Sequence, residues 1–166
     1  MKRVSFLCTF FALCVLCPAL FGQGEKSGTE KNREAQASTD IMKYVRKVDF
    51  AAIERSRPGD RITQVLFDRS SGAKTCRIEC IKTPAGGGSP EGLHTHLVDQ
   101  IFYILKGTMT VEINGIEYEA GPGTLVIFPA GVAHRNWNRG SEPTVHLSFI
   151  VPMPQSDLPF ATRVKP

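Results

Sequence analysis

The sequence predicts an all-β domain, a sandwich or barrel of short strands, on three observations. From residue 61 onward apolar and polar residues alternate in short runs, the period of strands with one face buried. Compact turn signals separate the runs, and Asn114-Gly115 between two alternating segments is the strongest short-range hairpin marker a sequence offers. No helical period of useful length follows residue 57.

Residues 1–22 read as a secretory signal peptide. Lys2 and Arg3 precede an apolar run from Val4 to Leu16, Pro18 breaks the pattern, and small residues follow from Ala19 to Gly24. The run falls short of the ~18–20 apolar residues that a membrane span requires. The expectation is an exported protein, periplasmic or extracellular, with no stable membrane span after cleavage. Losing Lys2 and Arg3 lowers the formal charge from +4 to +2, and nothing then argues for nucleic acid as a partner. Cys8, Cys14 and Cys17 leave with the signal, so Cys76 and Cys80 remain. On a strand these two share a face about 13 Å apart, beyond disulfide reach, and read as small buried hydrophobes.

From Gln23 to Thr39 no aliphatic residue is larger than Ala, so 23–40 is expected to be a disordered tether. Residues 41–59 form a lead-in segment whose Ile41, Tyr44, Val45, Val48, Phe50 and Ile53 fit a helix only in part, expected to pack on the outside of the domain. The domain itself runs over 60–152. Strands are expected at Arg61–Asp68, Lys74–Thr83, Gln100–Leu105, Thr108–Ile113, Ile116–Ala120, Thr124–Phe128, His134–Trp137 and Thr144–Val151. The turns Gly121-Pro122-Gly123 and Pro129-Ala130-Gly131 punctuate the later ones. Residues 153–166 form a Pro-rich tail, since prolines are excluded from central strands; it either wraps the barrel or crosses to a neighbouring subunit.

His94 and His96 stand one residue apart after a glycine-rich loop. Extended backbone points residues i and i+2 to one face, so the two imidazoles address one point in space. That is the start of a metal site.

Gly88 to Gly107 fits G-x5-H-x-H-x3-E-x6-G in every position but one, and Gly123 to Asn138 fits G-x5-P-x-G-x2-H-x3-N throughout. Fifteen residues separate Gly107 from Gly123. In these two motifs the sequence resembles a small single-domain cupin, over roughly residues 60–151. The resemblance implies a cupin double-stranded β-helix, a jelly-roll barrel, with one divalent transition metal ion inside and a homodimer as the assembly. It also implies His94, His96 and His134 as ligands, and three neutral imidazoles suit Fe, Mn, Ni, Zn or Cu.

In the family the fourth ligand is the first motif's glutamate; here that position is Gln100. A glutamine amide oxygen can coordinate but carries no charge, so the ion keeps its full +2 and becomes a stronger Lewis acid. Some cupins acting on uronate sugars resemble this His/His/Gln/His pattern, and some oxygenases have three His ligands alone. Asp99 is no substitute, because adjacent strand residues face opposite ways.

Alternation places Phe102 and Ile104 two strand steps from Gln100 as candidates to line the cavity, with Asn136 or Trp137 at its mouth. In Thr144–Val151 the residues Thr144, His146 and Ser148 form the more polar face; if that face lines the cavity, His146 is a candidate general base. Arg77 and Arg135 read as solvated charges. The resulting expectation is an exported metal-binding cupin enzyme using its ion as Lewis acid on a small polar substrate, sugar-like or keto-acid-like. An O2-dependent dioxygenase and a non-catalytic small-ligand-binding protein are the alternatives.

Overall fold

The computed structural model describes residues 27–41, 45, 47–88 and 92–164. The signal peptide expected over residues 1–22 lies outside the described residues.

The all-β expectation holds. The first five strands are β1 (Ile62–Phe67), β2 (Arg77–Thr83), β3 (His94–His96), β4 (Asp99–Lys106) and β5 (Met109–Ile113). The others are β6 (Ile116–Ala120), β7 (Leu125–Phe128), β8 (His134–Trp137), β9 (Thr144–Val151) and β10 (Ala161–Arg163). They form two five-stranded sheets, β1-β2-β9-β4-β7 and β10-β3-β8-β5-β6, the two layers of a jelly-roll β-sandwich. The β5–β6 hairpin turns on Asn114 and Gly115, both at positive φ (51° and 79°), as an Asn-Gly turn requires.

Between the sheets lies an apolar core of Phe102, Ile104, Met109, Val111, Ala120, Val126 and Phe128. The central strand β9 does not share this polarity. Thr144, His146 and Ser148 are fully buried on its inner face, opposite Thr83, Ile81 and Glu79 of β2. Its Val145 and Leu147 point outward and pack with Cys80, Leu105 and Ile53. Apolar surface on the outside of a sheet needs a cover, and the lead-in segment supplies it.

That cover is the short helix α2 (Phe50–Arg55), started by the Asp49 carboxylate, which accepts from the Ala52 amide at 2.8 Å. Ile53 is only 2% exposed beneath it. Lys82, buried on the same outer face, donates from Nζ to Ser56 Oγ (2.7 Å), to the Arg57 carbonyl (2.8 Å) and to the Ser56 carbonyl (3.4 Å). Three acceptors satisfy the three ammonium protons and tie the end of α2 to β2.

Two glycines of the motifs have steric reasons. Gly88 bridges to Trp137, and a Cβ there would lie 2.7 Å from Trp137 Cβ and 2.8 Å from the Asn136 carbonyl oxygen. Gly107 has φ 72°, and its Cβ would meet the Pro143 carbonyl oxygen at 2.6 Å.

Three differences from the sequence reading stand out. The segment expected to be a disordered tether contains a helix, α1 (Gly28–Ile41). Its Glu, Lys, Arg, Gln and Ala residues are strong helix formers, while residues 28–37 are all exposed. The Pro-rich tail, for which no strand was expected, contributes one: Ala161–Arg163, beyond Pro159, pairs antiparallel with β3 and completes the second sheet. Cys76 precedes β2 rather than standing in it, and both Cys76 and Cys80 are free thiols. No described helix is long and apolar enough to cross a membrane.

If α2 is an integral cover, Ile53→Ala leaves a cavity over Cys80 and Val145. The expected cost is about 2–5 kcal/mol of stability, read from urea denaturation; a loss below about 0.5 kcal/mol would show that α2 is dispensable.

Candidate metal centre

The strand β3 is only three residues long, with His94 and His96 on its inner face and Thr95 between them. His134 opens β8 directly opposite His94 in the antiparallel ladder, where cross-strand side chains are nearest neighbours. The turn Pro129-Ala130-Gly131 sets this register, its Gly131 amide donating to the His96 carbonyl at 2.8 Å. Period and register together collect the three rings. Their centroids lie 4.8 Å (His94–His96), 4.6 Å (His94–His134) and 4.7 Å (His96–His134) apart. One nitrogen from each lies within 4.8 Å of the others, and the three imidazoles are placed to hold a metal ion.

The rings are buried, 3%, 3% and 1% exposed. Nδ1 of His94 donates to the Gly92 carbonyl and Nδ1 of His134 to the Val132 carbonyl, at 2.5 and 2.8 Å. A carbonyl only accepts, so these bonds place the proton on Nδ1 and leave Nε2 as the lone pair. Burial, then the neighbouring rings of His134 and His94, push His96 down to about 3. His134 is lowered too, by burial first, against the Val132 carbonyl that favours its charged form. Neutral imidazole is the ligand form. His134 Nε2 and His96 Nδ1 are buried without a hydrogen-bond partner, an arrangement an ion would relieve.

Gln100 comes from the other sheet. It is buried, faces inward, and donates from Nε2 to Ser148 Oγ on β9 at 3.1 Å. Its ladder partner Phe128 stacks on His134 with centroids 4.5 Å apart, so Gln100 stands beside a ring that backs the triad. Asp99 faces away and accepts from the Ala130 amide at 2.8 Å, holding the turn before His134.

Phe102 and Ile104 both point inward and are buried, as part of the packed core. Asn136 faces inward with its Nδ2 buried and unpartnered. Trp137 faces out, with the Arg135 and Arg139 guanidinium groups 4.4 and 4.7 Å from its ring centroid. Arg135 is bound to Glu112 at 2.6 Å, and Arg77 to Glu79 at 2.6 Å on the inner face of β2.

His146 also faces the interior, fully buried, but it does not join the triad directly. Its ring packs on Phe102 (4.2 Å), Phe102 on Phe128 (5.0 Å), and Phe128 on His134. Both its ring nitrogens lack a hydrogen-bond partner.

Two further residues belong here. Ser148, which holds Gln100, is recoverable from the alternation of β9. Phe160 stacks on His96 with centroids 4.0 Å apart; it sits in the tail, and no local pattern marks it, because the β10–β3 pairing alone brings it to β3.

Burial, with the Arg61 charge adding to it, pushes His146 down to about 3 from 6.5. Between these two values the unfolded chain binds a proton that the native state refuses. Stability therefore rises with pH across this window and is lost as pH falls through it. In metal-free protein the urea midpoint should drop between pH 6.5 and 4, and His146→Gln should flatten that drop. An unchanged slope would show that the ring is not held neutral.

Comparison with known proteins agrees with this geometry. Residues 81–150 match the family model described as a cupin domain. No curated protein matches the chain. Among solved structures, a cupin superfamily protein from Desulfitobacterium hafniense is 15% identical, with TM-score 0.53 over 64% of this chain and 91% of its own. A polyketide cyclase from Streptomyces resistomycificus is 21% identical, with TM-score 0.55 over 66% and 75%. A predicted oxalate decarboxylase from Thermotoga maritima is 25% identical, with TM-score 0.52 over 57% and 83%. The segment matched to a cupin domain, residues 81–150, lies at the centre of the two-sheet jelly roll, and the chain has the fold of the small cupins.

Proposed function

We propose that this chain is an exported, metal-dependent cupin enzyme in which His94, His96 and His134, with Gln100, hold one divalent transition metal ion. The substrate is a small oxygen-bearing molecule of the sugar-acid or keto-acid kind. The observation that carries the reading is the convergence of three buried imidazoles with ligand atoms within 4.8 Å of one another. The likeness to a predicted oxalate decarboxylase supports an oxygen-rich substrate.

When bound, the ion supplies Lewis acidity towards a substrate oxygen. The Gly92 and Val132 carbonyls fix the rings of His94 and His134, the outer support that orients metal-binding histidines generally. Ser148 engages the Gln100 amide nitrogen and leaves the amide oxygen as the end that donates a lone pair. Because Gln100 is neutral, the site keeps a charge of about +2 where a glutamate would leave +1. Phe128 covers one ring of the triad and excludes water on that side. His146 lies behind Phe102, is neutral, and is a weak base, so we assign it to the polar wall of the interior rather than to proton transfer.

Mature protein should carry about one transition metal ion per chain, as a mononuclear site requires; elemental analysis that finds none, even after reconstitution, overturns the proposal. His134→Ala is expected to release the ion. Gln100→Glu should keep the ion and alter turnover, whereas an unchanged affinity and spectrum in Gln100→Ala would remove Gln100 from the ligand set. Turnover that persists under strict anaerobiosis fits the proposal, and a dioxygen requirement would move the chain to the oxygenases.

The homodimer is part of the same proposal. Tyr103, Leu125 and Ile127 are exposed apolar residues on the outer face of β4 and β7, a surface suited to a second copy. Leu125→Asp should shift the chain to monomer in sedimentation; a native chain already monomeric at micromolar concentration would remove the dimer.

A further inference from the structure

Phe160 is common to two features. One is the triad, through its stack on His96 at 4.0 Å. The other is a cleft of about 350 Å3 lined by Leu97, Val98, Met153, Leu158 and Phe160, together with prolines of the tail. Leu97, Leu158 and Phe160 are 68%, 45% and 37% exposed, so the cleft offers apolar side chains to incoming molecules beside a metal-competent centre. Its volume lies in the range of small-ligand pockets, which are mostly apolar with a few polar groups that orient the ligand.

The walls are anchored. The Met153 amide donates to the Thr75 carbonyl at 2.8 Å, Arg69 donates to the Pro154 carbonyl at 3.1 Å, and the Val164 amide donates to the Leu93 carbonyl at 2.9 Å. Between these points β10 pairs residue for residue with β3, Ala161 opposite His96 and Arg163 opposite His94. The cleft and the ligand strand are therefore parts of one hydrogen-bonded unit.

We propose that this cleft is the apolar subsite of the metal centre. It takes the hydrocarbon body of a substrate whose oxygen-bearing end lies at the triad, and Phe160 is the wall the two share and a specificity-determining residue. This rests on the metal-dependent reading above and narrows its substrate class to amphipathic acids, hydroxy acids or keto compounds with an aliphatic or aromatic body.

The test uses full-length mature protein reconstituted with zinc, and two hydroxamates that bind metal through the same two oxygens. Acetohydroxamate carries a methyl group and benzohydroxamate a phenyl ring. Calorimetric titration should show benzohydroxamate binding about tenfold tighter or more, the effect of burying the extra apolar surface. Leu158→Gln, which alters the cleft wall but none of the rings stacked on the triad, should bring the two affinities together while zinc content and acetohydroxamate affinity stay unchanged. Phe160→Ala should also lose the preference. Equal affinities in the unmutated protein, or a preference that survives both substitutions with zinc retained, overturn the subsite and leave the metal reading standing. Failure of the unmutated protein to hold zinc overturns both.

Discussion

The two-residue repeat of β9 is the constraint on which the rest of the structure depends. An antiparallel strand at the middle of a sheet must put alternate side chains on opposite faces, and β9 puts Thr144, His146 and Ser148 inside and Val145 and Leu147 outside. This inverts the usual arrangement of a half-buried strand. An apolar outer face requires a cover, and Asp49, Ile53 and Lys82 fasten α2 across it. A polar inner face requires partners, and Ser148 finds one in Gln100 while His146 finds none among the protein's own groups.

The triad carries a cost of the same kind. Three imidazole rings with centroids less than 5 Å apart cannot all be charged in a buried setting, and burial moves His96 and His134 towards the neutral form. A buried nitrogen without a partner costs about 1–3 kcal/mol, so an arrangement with two such atoms in the triad is poor packing and a good ligand set. The shortness of β3 sharpens this. Three residues make few ladder bonds, and β3 is held between a single pairing to β8 and the three pairings to β10. A segment far along the chain thus fixes the strand that carries two of the three histidines.

Much of the fold was legible in residues 61–151 because each β segment announces itself locally. Alternation marked most of the strands, Asn114-Gly115 marked the hairpin, and the glycines at 88 and 107 stand where a side chain would strike Trp137 or the Pro143 carbonyl. The site was legible to the extent that it is local. His94 and His96 share a strand face, and the Pro129–Gly131 turn positions His134. Which way Thr144–Val151 turns its polar face was open in the residues, because both of its faces contain groups that a core accepts.

The sequence by itself determined most of the strands, the turns and the three imidazoles, since these depend on side-chain period and turn chemistry within a few residues. Tertiary structure alone decided the rest. It set His146 behind Phe102, tied Gln100 to Ser148 across β4 and β9, and returned the tail to β3 with Phe160 against His96. Each of these outcomes rests on pairing between segments distant in sequence. Such contacts have no local trace, because what stabilises them is the match between two surfaces that form only when the sheets close.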